Sequence, residues 1–473
     1  MGKHDEPKTV FEKNKIGAKN VIRQRPLEAV ADSFCAFHSR YQHLFVTKTR
    51  SVIAQSLSYL SGLMQAVRKN VERMTEVVPE TEYQSLQHFT THSPWDYRPV
   101  MDQVALDADR LLGGSPDSGL ILDESSMPKK GKKSVGVARQ WCGRLGKVDN
   151  CQTGVYASLV HGVAATIIDC RLYLPKEWTD DRNRCKAAGV PDDVTFNAKS
   201  QLALGIVHHA RSIGIRYAWV GFDGGYGKEP LLLKTLDDEG EQFVADVHKD
   251  QSFYLEDPAP YIPDRHSAKG RTPSVYKTES TRMVVEQWAA SQPEEAWQRI
   301  TTRDSTKGRL LVDILTQRVW VWLDHKQAVR QWHLVVRREI DSQKTIKYSL
   351  SNAPAETTPE RLAYMQGQRY FVERSFQDAK TTAGMDHYQI RGWLAWHHHM
   401  AMVMMSMLFL LETRREQKET HPLLSCPDIA GLLAHFLPRR DITPEEVLRQ
   451  MEVRHQQRKA SIDSAYRRQD SDG

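Results

Sequence analysis

Tyr217-Ala218-Trp219-Val220-Gly221-Phe222-Asp223-Gly224-Gly225-Tyr226-Gly227 is the stretch on which the fold turns. An apolar run the length of one buried strand ends in an acid, and a glycine-rich turn follows. Glycines there permit a tight, exposed backbone beside the carboxylate. Gly119-Leu120-Ile121-Leu122-Asp123-Glu124 repeats the design. In α/β sheets, ligands collect at the carboxyl ends of strands, where the loops converge. A strand-end Asp also caps the helix after it, so each acid taken singly reads first as a cap.

Working outward, residues 154–159 and 165–174 are rich in β-formers and joined by a short connection, which suits antiparallel neighbours. Residues 198–213 read as a helix with Leu202, Leu204, Ile206 and Val207 supplying apolar surface, and 242–248 read as another strand. The order is three antiparallel strands, helix, strand, helix, strand. That is the plan of an α/β, ribonuclease H-like core, and it delivers Asp123 and Asp223 to adjacent central strands. The interval to the next informative segment is far longer than one crossover needs. Within it, residues 310–323, 332–338 and 345–351 alternate like strands, so about 251–355 reads as a β-rich insertion.

After the insertion comes YMQGQRYFVERSFQDAK, residues 364–380. Read as one helix, it places Arg369 four residues before Glu373 and Lys380 seven after it, all on one stripe. One carboxylate flanked by two cations suits a metal ion beside a phosphate. Standing alone, the pattern would be a solvated face with an Arg–Glu pair.

Together these residues resemble a known family. Asp123, Asp223 and Glu373 look like the catalytic triad of the DDE transposases of bacterial insertion sequences, in the subgroup with a Y-R-E-K signature. Arg369, Glu373 and Lys380 match that signature, but its tyrosine falls at position 366, which is Gln366 here. The segments LDESSMPKKGKKSVGVARQW, LPKEWTDDRNRCKAAGVP and KNVERMTEVVPETEYQSLQHFTTHSPWD also resemble the family, so the similarity runs from about Arg40 to about Arg414. The resemblance implies a cut-and-paste transposase that binds terminal inverted repeats, cleaves DNA and joins the freed 3′-hydroxyl to a target. It implies hairpin ends as one route, a homodimer in the active complex, and double-stranded DNA (transposon ends and target) as partner. It assigns Asp123 as the bridging ligand of two Mg²⁺ ions, with Asp223 and Glu373 each completing one shell and Mn²⁺ able to substitute. Hard carboxylate oxygens suit such ions, about 3.5–4 Å apart. Arg369 and Lys380 are expected on the DNA backbone. Glu124 points away if the strand continues, so it is the weaker candidate. Two rival readings share the triad or its ancestry: a ribonuclease H-like nuclease that cannot join ends, and a domesticated DNA-binding protein without catalysis.

Composition adds local detail. The 473 residues carry 65 Lys and Arg against 59 Asp and Glu, a modest +6 that decides little by itself. Residues 128–147 hold Lys129, Lys130, Lys132, Lys133, Arg139, Arg144 and Lys147 without an acid. Such a block is a solvated loop or a phosphate-binding one; following Asp123 closely, it is expected at the mouth of the site, on DNA. Residues 29–112 read as helices with basic faces, either a DNA-end reader or an ordinary bundle. The six cysteines lack zinc-site spacing and read as reduced, mostly buried thiols. The first residues lack a signal-peptide core, and the apolar run 400–411 is too short to span a bilayer. A cytoplasmic protein with no membrane partner, associated with the nucleoid when on DNA, is therefore expected. Trp297, Trp320, Trp322 and Trp332 each read first as core residues of the insertion, although the resemblance implies one aromatic stacking on a flipped base. His397-His398-His399 cannot converge on one ion, because consecutive helical residues point about 100° apart. The expected organisation is 1–112 helical DNA-binding region, 113–250 and 356–413 the two parts of the core around the 251–355 insertion, and 414–473 a helical or mobile tail.

Overall fold

The computed structural model describes residues 27, 29–264, 272–305, 308–324, 327–340 and 342–471. The chain divides into two compact units: residues 98–377 with 391–393, and residues 1–97 with 378–390 and 394–473.

The larger unit is organised on one sheet. Its strands are β1 (Gly119–Pro128), β2 (Ala138–Cys142), β3 (Lys147–His161), β4 (Ala164–Leu172), β5 (Trp219–Phe222) and β6 (Phe243–Val247). A two-stranded ladder of β7 (Ser252–Phe253) and β8 (Met283–Val284) follows. Then come β9 (Gln298–Ser305), β10 (Gly308–Trp322), β11 (Val329–Glu339) and β12 (Ser342–Ser351). The large sheet runs β2-β3-β1-β5-β6-β12-β11-β10-β9, with β4 also paired to β3. β1, β3 and β4 are antiparallel in succession, whereas β1–β5 and β5–β6 are parallel. Helices Lys199–Ser212 and Pro230–Asp238 make the crossovers between β4 and β5 and between β5 and β6.

The central strands are buried on both faces. Leu120, Ile121, Leu122, Trp219, Val220, Phe222, Phe243, Val244 and Ala245 are all at most 3 % exposed. This is why their sequences are unbroken apolar runs rather than alternating ones. Gly119 faces Trp219 across the β1–β5 ladder, and a Cβ there would meet the indole at 2.3 Å. Only glycine lets the two parallel strands close over that ring.

Two features differ from the sequence reading. The β-rich insertion is not separate from the core: apart from the small β7–β8 ladder its strands join the large sheet, since β12 pairs with β6 and β9–β12 extend it. The basic block 128–147 is not wholly a loop, since Ala138–Cys142 pairs with β3 as a ribbon that continues past the end of β1. Its alternation of buried Ala138 and Cys142 with exposed Arg139 and Trp141 is a strand pattern masked by the charges around it.

The second unit gathers helices Val30–Tyr41, Ile53–Gln65, Val71–Val77 and Tyr83–Thr91 with Trp393–Glu416, Cys426–Phe436 and Pro444–Ser471. Helix Tyr97–Leu112, expected with the N-terminal helices, belongs from Arg98 onward to the sheet unit. The tail is also more ordered than its composition suggests, because Pro444–Ser471 is one long helix. Helix Trp393–Glu416 has the length and hydropathy to cross a membrane, but 94 % of its apolar window is buried in the protein. Phe34 and Phe37 pack edge-on against Phe409, with ring centroids 5.1 and 5.4 Å apart. The three histidines diverge as the helical geometry requires. His398 stacks on Trp95 at 3.8 Å, His397 on Tyr97 at 4.4 Å, and His399 Nδ1 lies 2.8 Å from the Tyr59 hydroxyl. All six cysteines are free, and all but Cys35 are buried.

Candidate active site

The site is built from the middle of β1 and the carboxyl ends of β5 and β6. The apolar run of β1 stops at Asp123 as expected, but the strand itself does not end there and continues to Pro128, held by its pairing with β3. Leu122 faces Phe222 in the parallel register, so Asp123 and Asp223 are the next residues on neighbouring strands, about 4.8 Å apart in the sheet direction. Asp123 remains within β1 opposite Tyr156. Asp223 has just left β5 and caps the short turn Gly224–Gly227, its Oδ1 accepting from the Gly225 and Tyr226 amides at 2.9 and 3.3 Å. The capping role and the place beside Asp123 are thus combined in one side chain. The turn is held close to β6: a Cβ on Gly227 would lie 1.8 Å from the Asp246 carbonyl oxygen.

Two buried carboxyls side by side resist double ionisation. Burial, then the Asp223 charge, push the Asp123 carboxyl up to about 7, against the opposing pull of Arg369 and of the Glu124 amide. Burial foremost also raises Asp223. Divalent cations relieve this kind of strain, and the hard oxygens present suit them.

Glu373 reaches the pair through Arg369. Helix Pro359–Gln368 ends at Arg369, and helix Tyr370–Thr381 begins directly after it. The expected single helix is therefore interrupted at Arg369, two residues after Gly367, a residue type that weakens helical backbone. Arg369 itself keeps helical angles, φ −56° and ψ −28°, so the four-residue offset to Glu373 survives. Arg369 Nη1 lies 2.9 Å from Glu373 Oε1 and 3.9 Å from Asp123 Oδ2, which puts the two carboxylates around one guanidinium nitrogen. Glu373 is the exposed member, with 55 % of its side chain accessible. Among the described residues, no three His, Cys, Asp or Glu side chains are close enough to hold one ion together. The structure therefore brings together Asp123 with Asp223, and joins Glu373 to them by way of Arg369.

Lys380 lies in the last turn of the Glu373 helix, in the stretch assigned to the other unit. Lys130, Lys132 and Lys133 are exposed and Lys129 is half-buried. Their loop is pinned by Asn150 Nδ2, which donates to the Lys129 and Gly131 carbonyls at 2.6 and 2.9 Å. Glu124 is paired with Lys199 Nζ at 2.5 Å. Of the tryptophans, Trp332 is a core residue at 2 % exposure, Trp297 lies under Arg338 at 4.3 Å, and Trp320 and Trp322 are half-buried.

Three further side chains belong to this site. Asp246 Oδ2 accepts from Arg369 Nε at 3.0 Å. Lys347 lies within electrostatic reach of Arg369, Arg337, Asp246 and Glu373; burial first, then the two arginines, lower its pKa. The Tyr226 hydroxyl is buried without a hydrogen-bond partner among the described residues, within reach of the charges on Glu124, Asp123 and Asp223. In the sequence Tyr226 lies within the glycine-rich turn, whose composition signals a tight backbone and carries no sign of a buried hydroxyl.

Residues 41–309 match the family described as DDE superfamily endonuclease. Glu373 lies beyond the matched residues. Over 366 residues the chain is 24 % identical to a probable transposase for insertion sequence element IS701 from Microchaete diplosiphon, covering 77 % of this chain and 83 % of that relative.

Proposed function

The chain belongs to the DDE superfamily endonucleases, and from that membership we propose that it is the transposase of an insertion sequence, binding the terminal inverted repeats, cutting the DNA there and joining the ends to a target. The observation that carries this reading is the placement of Asp123 and Asp223 directly after the facing residues Leu122 and Phe222 of the adjacent parallel strands β1 and β5. Glu373, tied to Asp123 by the Arg369 guanidinium, is the third carboxylate. The strand order β4-β3-β1-β5-β6, antiparallel and then parallel, supports a ribonuclease H-like core. The name borne by the relative from Microchaete diplosiphon supports the insertion-sequence role.

Asp123 and Asp223 would hold a divalent ion, Mg²⁺ or Mn²⁺, and Glu373 would hold a second with Asp123. Such ions supply an activated nucleophile and stabilise the leaving alkoxide. The protein's own groups do the rest. Arg369 presents a planar fork suited to a phosphodiester, and Lys380 acts as a point charge further along the helix. Lys129, Lys130, Lys132 and Lys133 grip the DNA backbone beyond the end of β1. The helical unit reads the repeats, and two copies of the chain assemble on two ends in the cytoplasm, on the nucleoid.

Purified protein, Mg²⁺ and duplex DNA carrying the sequence that flanks its coding region test the reading. Cutting at symmetric repeats and joining of a pre-cut 3′ end are expected. Cutting without joining would assign a simple nuclease instead, and binding without either would assign a domesticated DNA-binding protein.

A further inference from the structure

The Arg369 guanidinium stands at the end of a hydrogen-bond chain that starts in the protein interior. Gln366 Nε2 donates to Ser349 Oγ at 2.7 Å, and Ser349 Oγ donates to Asp246 Oδ1 at 2.6 Å. Arg369 Nε then donates to Asp246 Oδ2 at 3.0 Å. Gln366 and Ser349 are 4 % and 0 % exposed.

The layout follows from the register. Ser349 and Asp246 face each other across the β12–β6 ladder, so hydroxyl and carboxylate share one face of the sheet. The insertion, by adding β12 to the core sheet, is what brings the serine there. Gln366 descends onto the same face from helix Pro359–Gln368. It occupies the position where the Y-R-E-K pattern has its tyrosine, and its amide is directed inward.

Each oxygen of Asp246 therefore has an assigned donor. With Oδ1 committed to Ser349, the carboxylate offers Oδ2 to Arg369 in one orientation. A guanidinium is planar, so fixing Nε fixes where Nη1 lies. That nitrogen is the one beside Glu373 Oε1 and Asp123 Oδ2. Without the clamp, Arg369 and Glu373 would be an ordinary pair one helical turn apart, of little directional value.

We propose that Gln366, Ser349 and Asp246 are positioning residues that hold the Arg369 guanidinium between Asp123 and Glu373, where it meets the DNA phosphate. None of the three touches the reacting atoms; each acts through Arg369. The proposal rests on the transposase reading.

A double-mutant cycle in the full-length chain tests it, with the flanking-sequence duplex as probe. Ser349→Ala lowers kcat for cleavage about tenfold in the otherwise unchanged chain, as expected for a hydrogen bond to a charged group. Its Kd for the duplex, measured in chelator without metal, stays within about twofold. In an Arg369→Lys background, which lacks the fork, the same substitution has less than about a twofold effect on kcat. Asp246→Asn behaves in parallel. Melting temperature falls by the same amount in both backgrounds, so a merely structural role predicts equal kcat losses. Equal losses in both backgrounds, or none in the unchanged chain, overturn the positioning role alone. An unchanged chain that neither binds nor cuts this duplex overturns the transposase reading, and the positioning role with it.

Discussion

Asp123 on β1 and Asp223, the residue directly after β5, each stand one residue beyond the facing pair Leu122 and Phe222. Their proximity and burial give the pair an affinity for positive charge, and the proton competes with the metal for it. Asp123 is pushed up to about 7, so below that pH an incoming ion has to displace a proton. Divalent-ion affinity therefore falls as pH drops through about 7 and levels off above it. Calorimetric titration of Mn²⁺ at about pH 6 and about pH 8 checks the sign. Asp223→Asn removes a carboxylate proposed to hold the ion and should reduce cleavage by about a thousandfold or more while leaving duplex binding intact. Unchanged cleavage would mean that the reacting phosphate lies elsewhere.

Lys347 faces Arg337 across β11–β12 and lies two residues before Ser349 on the same strand face. Its pKa is lowered by burial and by Arg369 and Arg337, against the weaker opposing pull of Asp246 and Glu373. On the proposed reading, a DNA phosphate would add a further negative charge beside it. Lys347→Gln should weaken duplex binding and reduce the slope of log Kd against log salt by about one. A slope identical to that of the unsubstituted chain would place Lys347 off the DNA path.

The parts of this site that were legible in the sequence share a physical cause. A strand segment buried on both faces is an unbroken apolar run, so the acid that stops the run stands out, as Asp123 and Asp223 do, although β1 continues beyond its acid to Pro128. Arg369 and Glu373 were legible because a helical offset of four is local. Asp246 was not, since it interrupts the strand FVADV and its partner Ser349 lies 103 residues away. No periodicity reports a cross-strand pairing over that distance. The ribbon strand β2 was hidden for another reason: lysines on either side made a loop the natural reading. The join of β12 to β6 is a tertiary choice of which edge to pair, and alternation alone leaves that edge open.

Trp141 offers a separate test of the DNA surface. It is 54 % exposed and sits opposite Val148, itself 52 % exposed, on the outward face of the β2–β3 ribbon. Arg139, Arg144 and Lys147 are exposed around it. An aromatic on a basic two-stranded ribbon suits a DNA groove or an unstacked base. Trp141→Ala should weaken duplex binding by roughly 1–3 kcal/mol with the salt slope unchanged, because the contact is not ionic. Retention of full affinity, or a change in oligomeric state by light scattering, would assign this face to a protein partner.

The helical unit carries its own pH signature. His38 is 1 % exposed, and its Nε2 lies 2.7 Å from Ser56 Oγ. That hydroxyl donates to the Ile53 carbonyl at 2.8 Å, so the proton between His38 and Ser56 belongs to Nε2. Burial pushes its pKa down to about 4, from an ordinary value of 6.5. The unfolded chain therefore takes up a proton first as pH falls. Stability is fully present above 6.5, declines between 6.5 and about 4, and is lower by about 3 kcal/mol from this residue once the folded form also protonates. His38→Gln keeps an amide donor for Ser56 and removes the titration. Urea unfolding followed by helix signal should show a smaller acid-induced shift for this variant than for the unsubstituted chain. Equal shifts would mean that His38 protonates in place, with room or a partner for its charge.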